Sequence, residues 1–209
     1  MTEDLRLTAL IDLRTPGERE KKPDRVPRGA EYLPIPIFRL SMLGITHEKP
    51  LAGAPDVAIP EMDGMYRMMV SHPVCRESLG RILGRILTHD YEAGSVLWHC
   101  TEGKDRCGIV TALVLTALGI DRAAILADYL LTNEVNRPKA ERYYREILAA
   151  GQAEADAAVV REAFLAKESY LLAAFSAIDE TWGDRETYLR EGLGLASGDI
   201  RSFREKVMR

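Results

Sequence analysis

SVLWHCTEGKDRCGIVTALVLTAL, residues 95–118, divides into three pieces. Residues 95–99 are a short apolar run of the length and composition of a buried central strand. Residues 100–108 form a tight polar segment with glycines at 103 and 108. From Gly108 to Leu118 the apolar and small residues suit a helix. Strand, tight loop and helix in that order present backbone N–H groups to an anion at the helix N-terminus.

Working outward, residues 5–13 (LRLTALIDL) read as a second strand followed by a turn at Thr15-Pro16-Gly17. Residues 31–38 (EYLPIPIF) read as another strand, confined to a sheet edge by Pro34 and Pro36. Residues 39–60 are rich in Gly and Pro and read as a long loop of the kind that serves as a lid or binding loop. Between 62 and 87, apolar residues recur at helical spacing (Met65, Met68, Met69, then Leu79, Ile82, Leu83, Ile86, Leu87), with Pro73 dividing two helices. Further helices are expected at 122–132, from Pro138 to about 150, once or twice within 155–180, at 185–191, and from a Ser197 N-cap to Val207. The pattern predicts an α/β chain with a small, mainly parallel sheet, flanking helices and a helical C-terminal part.

The chain has 209 residues, 46% of them apolar, which suits one domain over residues 1–209. Its net charge is −4 with no basic block, so nucleic acid is not an expected partner. MTEDLRLTAL is acidic where a signal peptide is basic, and no apolar run reaches about 18 residues, so no integral membrane segment is expected. The cytoplasm is the default location, with signal-less secretion left open. Cys75, Cys100 and Cys107 match neither a disulfide framework nor a zinc pattern.

Cys100 and Arg106 carry the chemistry. A free thiol with a pKa near 8.5 is only about 3% thiolate at pH 7. At a strand end, under converging N–H groups of a helix start, it titrates lower. The same amides of Thr101, Glu102, Gly103, Lys104, Asp105 and Arg106 form a nest for phosphate oxygens. Gly103 permits the required backbone turn. Arg106 suits a bidentate hold on phosphate that Lys does not provide. A C-x5-R spacing alone is common by chance, and it is the strand before and helix after that make this one informative.

HCTEGKDRCG (99–108), together with IDLRTPGERE (11–20), ADYLLTNE (127–134) and YLLAAFSAIDETWG (170–183), resembles the bacterial atypical protein tyrosine phosphatases, whose loop reads HC-x-x-GKDRTG. The resemblance spans nearly the whole chain. It implies a cysteine-phosphatase fold and a phosphomonoesterase that works through a phosphocysteine intermediate, with no metal or other cofactor. The implied substrates are phosphotyrosine in proteins, with phosphoserine, phosphothreonine and phosphoinositides as further candidates and phosphate as product. Cys100 is the implied nucleophile and Arg106 the clamp. Asp105 is the first candidate for general acid, Asp12 of the Asp-Leu-Arg motif the second and Asp63 the third. His99 is expected to hydrogen-bond the loop, and Lys104 to add positive charge at the pocket mouth. The resemblance makes the helical stretch 138–166 a candidate lid; Val159, Val160, Phe164 and Leu165 fit an apolar face, a pattern that a packed core helix shows equally. Arg14 with Glu18 and Glu20 is expected to be a structural ion-pair cluster.

Two features depart from the family pattern. Cys107 stands where a hydroxyl residue is usual, and a thiol is the poorer donor to the catalytic sulfur. Slower breakdown of the intermediate is therefore expected, and two readings of Cys107 stay open: loop curvature brings its sulfur near Cys100, where it traps a sulfenic acid as a disulfide, or it is a small buried side chain that only packs. Family members also carry a segment with an Arg-Asp-Leu-Gly motif before the first strand, where this sequence has about ten residues. A border of the pocket is accordingly expected to be missing. Two rivals remain: a weakly active or inactive phosphate- or phosphoinositide-binding module, and a Cys-loop used for sulfur transfer or arsenate reduction.

Overall fold

The computed structural model describes residues 5–38 and 62–208; the expected loop at 39–60 lies outside them. The described residues form an α/β fold around three parallel strands, β1 (Leu7–Asp12), β2 (Glu31–Pro34) and β3 (Ser95–His99), in the order β2-β1-β3. β2 is at an edge, as Pro34 requires, and ends there rather than at residue 38. β1, not β3, is the centre. Ala9, Leu10 and Ile11 of β1 are buried, whereas Leu97 of β3 is 45% exposed, so residues 95–99 are a half-buried strand with one face open.

Thr15-Pro16-Gly17 is not a free turn. It opens helix α1 (Pro16–Lys21), where Thr15 is the N-cap and Glu18 returns the bond to the Thr15 N–H, a complete capping box. Helices α2 (Met62–Ser71) and α3 (Pro73–Leu87) divide at Pro73 as expected. α4 (Asp105–Leu118) begins inside the loop and ends at Gly119. The break expected at 133–138 is absent: α5 runs unbroken over Arg122–Ala149 with Pro138 inside it. Proline deletes one helical hydrogen bond. Beside that point the Asn133 side chain bonds both the N–H and the C=O of Ala166, at 2.7 and 2.9 Å, and Asn136 and Ala140 are buried. Tertiary anchoring on both sides of the proline holds the helix together.

Gly151 then ends the segment in the left-handed region (φ +77°), and α6 (Glu154–Ala163) and α7 (Glu168–Trp182) follow. A three-residue helix, α8 (Arg185–Thr187), continues into a wide turn over Tyr188–Gly192, and α9 (Ser197–Val207) closes the chain. Ala196 occupies the N-cap of α9, so Ser197 is its first residue rather than its cap. The core joins Ile11 and Leu13 to Met65, Tyr66 and Met69 of α2, Leu79, Ile82 and Leu83 of α3, Val110 and Leu113 of α4, and Leu171, Phe175 and Ile178 of α7. This packing brings the carboxyl ends of β1 and β3 side by side, with Asp12 in register with His99. Open parallel sheets place their ligand sites at that end.

Candidate active site

Cys100 follows directly on β3, and the loop from 100 to 104 turns into α4. Gly103 takes a φ of +74°, a region costly for other residues, and its N–H points at the Cys100 sulfur at 3.3 Å. Lys104, the N-cap of α4, makes no side-chain capping bond, so its side chain leaves the first N–H groups of the helix unoccupied. Gly108 lets α4 approach α5, because a Cβ there would lie 2.8 Å from the Tyr129 ring. The Cys107 S–H donates to the Cys100 sulfur at 3.4 Å. That bond lowers the Cys100 pKa most; burial opposes it, Arg106 and the Gly103 N–H assist, and the thiol settles at about 6. Cys107 moves the opposite way, since its proton is held against the neighbouring sulfur in a buried place.

Arg106 is 9% exposed, and both terminal nitrogens bond Glu18, each at 2.7 Å. Glu18 also accepts from the Thr101 hydroxyl and the Thr15 N–H. Burial alone would push its carboxyl up, but the Arg106 hydrogen bonds and the others outweigh it and hold it at about 2. Glu18 therefore caps α1 and fixes the Arg106 fork in one step. It is not part of an Arg14 cluster as expected. Arg14 instead forks onto Asp12, at 2.9 Å twice, and reaches Asp24 at 2.7 Å. Asp12 is fully buried and also accepts from Tyr32; these bonds overcome the cost of burial and bring its pKa to about 2. A carboxylate held so firmly ionised has no proton to give near neutral pH. His99 lies between Asp24, at 3.1 Å, and the Cys100 carbonyl, at 3.2 Å, which links the start of the loop to Asp24. Asp12, Asp24 and His99 bring possible metal-ligand atoms within 4.8 Å of one another, but the Arg14 guanidinium already bonds both carboxylates and a cation would have to displace it.

A family profile described as the tyrosine phosphatase family matches residues 1–209. The chain belongs to the tyrosine phosphatase family. A protein of Cupriavidus necator that carries a tyrosine-protein phosphatase name is 29% identical over 203 residues, 95% of this chain and 70% of that one. The triple specificity protein phosphatase PtpB of Mycobacterium tuberculosis is 32% identical over 157 residues, 71% of this chain and 55% of PtpB. A tyrosine-protein phosphatase of Nostoc commune is 30% identical over 127 residues, 58% of this chain and 39% of the relative. The chain thus spans little more than half of PtpB and less of the Nostoc protein. Membership makes it a hydrolase of the protein-phosphatase kind, and among the described residues no helix is long and apolar enough to cross a membrane.

Two loop residues of the phosphatase sit elsewhere than their charges suggest. Lys104 is not at the pocket mouth; it is fully buried, and its ammonium donates to the carbonyls of Ala163 and Leu165, at 2.6 and 3.2 Å. The carbonyls at and just past the end of α6 have no following helical turn to donate to them, and a cation is their natural partner. Glu102 pairs with Lys139 of α5. Asp105 is buried, accepts from the Tyr66 hydroxyl at 2.7 Å and has Lys104 at 3.5 Å, while Asp63 on α2 meets Ser169. The loop is thereby tied to α5 and α6; Phe164, the residue after α6, stacks on Tyr143, and Val160 is buried but Val159 is 45% exposed.

Glu18, Asp24, Tyr66 and Lys139 have no sequence neighbour that marks them as loop partners. The one available signal was Thr-Pro-Gly-Glu at 15–18, whose capping-box spacing announces a helix start and an inward-facing carboxylate. The low Cys100 pKa leads to a measurable expectation. Alkylation of the phosphatase by iodoacetamide should rise with pH around a midpoint of about 6, because the thiolate is the reacting form and predominates above that value. A midpoint near the ordinary thiol value of about 8.5 would contradict the loop electrostatics.

Proposed function

We propose that this phosphatase hydrolyses phosphotyrosine in proteins through a phosphocysteine intermediate. The observation that carries the reading is Cys100: a sulfur held at a strand–helix junction by the Gly103 N–H and the Cys107 thiol, with its pKa brought to about 6. The Cys100 thiolate attacks phosphorus, the phenolic oxygen departs, and water then hydrolyses the thiophosphate ester. The loop amides and Arg106 stabilise charge on the three non-bridging oxygens, with no rearrangement asked of Arg106 because Glu18 already holds it.

Asp105 is assigned the proton for the leaving oxygen. It lies in the loop beside Arg106, buried and accepting from the Tyr66 hydroxyl; Asp12 is bonded to Arg14 and Asp63 meets Ser169. Residues 1–209 are read as one domain and 138–166 as part of the cover over the loop, a reading supported by the Lys104 and Lys139 ties. The name of PtpB speaks for assaying more than one ester class. Phosphoinositides are expected to turn over more slowly than phosphotyrosine peptides, since the ammonium best suited to a second phosphate is engaged by Ala163 and Leu165.

Rapid mixing of the reduced protein with p-nitrophenyl phosphate tests the reading. The expected result is a burst of p-nitrophenol stoichiometric with protein, and phosphate on Cys100 in acid-quenched peptides. Folded, reduced protein that gives neither burst nor turnover, yet is stabilised by phosphate, would establish the binding-module alternative instead.

A further inference from the structure

Cys107 stands in the first turn of α4, 8% exposed, with its S–H aimed at the nucleophile across 3.4 Å. Conversion of that contact to a bond of about 2.05 Å needs an approach of little more than an ångström. A cavity of about 50 Å³, lined by Gly103, Cys107, Gly108, Thr111, Asp128 and Tyr129, among others, borders Cys107. Cys100 is partly exposed, so a small electrophile reaches it, while Cys107 is shielded and kept protonated by its neighbour. These are the separate demands made on an attacking and a resolving cysteine.

We propose that Cys100 and Cys107 form a peroxide-modification site that closes as an intraloop disulfide. The Cys100 thiolate attacks one oxygen of hydrogen peroxide or a small hydroperoxide. The O–O bond breaks, hydroxide or alkoxide leaves and takes a proton from solvent, and the sulfur is oxidised by two electrons to the sulfenic acid. Cys107 then attacks that sulfur. Its proton, already directed at Cys100, passes to the departing hydroxide, water is released and the S–S bond forms. A dithiol reductant reverses the bridge by exchange. The bridge blocks attack on phosphorus, and it also keeps Cys100 from the irreversible sulfinic and sulfonic states. Cys75 is no competitor: it is fully buried on α3 and burial pushes its thiol up to about 11.

The test is peptide mapping of the whole reduced protein after brief exposure to hydrogen peroxide, with free thiols blocked in acid. Trypsin cuts after Lys104 and Arg106, so the bridge is expected as a linked pair of peptides, 86–104 and 107–122, that separates on reduction. Loss of p-nitrophenyl phosphate turnover should accompany it and be reversed by dithiothreitol. In Cys107→Ala the same peroxide dose should give sulfinic acid at Cys100 and a loss that dithiothreitol does not restore. Wild-type peptides showing oxidised Cys100 beside a free Cys107 thiol, or Cys100 joined to Cys75, would overturn the proposal. The bridge is read by mass in the wild-type chain, so neither a poorly folded variant nor absence of phosphatase turnover obscures the result.

Discussion

Cys100→Ser is expected to lower turnover of p-nitrophenyl phosphate by at least about 10³-fold, an effect of the size seen when a covalent nucleophile is removed. The reason lies in protonation. Cys100 is a thiolate above about pH 6, because the Cys107 thiol, Arg106 and the Gly103 N–H stabilise its charge against burial. A serine hydroxyl in the same nest stays protonated through the neutral range and is a far weaker nucleophile. The Glu18–Arg106 pair does not involve the sulfur, and the turn at Gly103, φ +74°, is set by its backbone, so the nest should persist in the variant. Cys100→Ser should therefore still be stabilised thermally by millimolar phosphate while failing to turn over ester. Retention of more than about one part in a hundred of the wild-type rate, well above the loss expected for a nucleophile, would remove Cys100 from the covalent role.

The second large effect is at Glu18. Glu18→Ala removes an α1 cap and leaves Arg106, at 9% exposure, without its carboxylate. Removing one partner of a buried pair costs about 3–5 kcal/mol, because the remaining charge is uncompensated. For a chain of this size that lowers Tm by roughly 6–20 °C. Turnover relative to KM should also fall about 10²-fold, since the Arg106 fork is no longer held for the transition state. Glu18→Gln separates the two contributions. An amide has one acceptor oxygen, so it keeps either the capping bond from the Thr15 N–H or the bond from Thr101, and it should recover part of the Tm but less of the rate.

The sign of the pH dependence follows from the direction of the Glu18 shift. Its carboxyl is at about 2 in the folded protein against an ordinary 4.5, so the native state favours the ionised form. The stability it contributes, on the order of 3 kcal/mol, is fully present above pH 4.5 and is lost as pH falls toward 2. In Glu18→Gln that part of the acid limb should flatten in chemical-denaturation curves taken across the range. An unchanged acid limb together with an unchanged rate would mean that Arg106 is held by other groups.

The loop that gathers Cys100 and Arg106 was legible in residues 95–118 because loop geometry is local. A strand end, a glycine at the turn and a helix start place Cys100, Gly103 and Arg106 within one continuous run, and C-x5-R states the spacing outright. The near approach of Cys107 to Cys100 was legible for the same reason. The α/β class, the division at Pro73 and the edge position of residues 31–34 also followed from local propensities, as did the end of α5 at Gly151.

Long-range partners were not legible, since a charged residue does not announce which distant group it will meet. Lys104 reads as a phosphate ligand in one dimension, yet three-dimensional packing delivers the carbonyls of Ala163 and Leu165 to it and buries it completely. Glu18 reads as a neighbour of Arg14, but the parallel sheet sets β1 beside β3 and carries α1 over to Arg106 and Thr101. β3 reads as central because it is apolar, and only strand order shows that one of its faces stays open. Pro138 reads as a break, and the Asn133–Ala166 bonds show why the helix continues. Bond geometry along the chain is a local property, whereas desolvation and ion pairing depend on which segments the fold brings together.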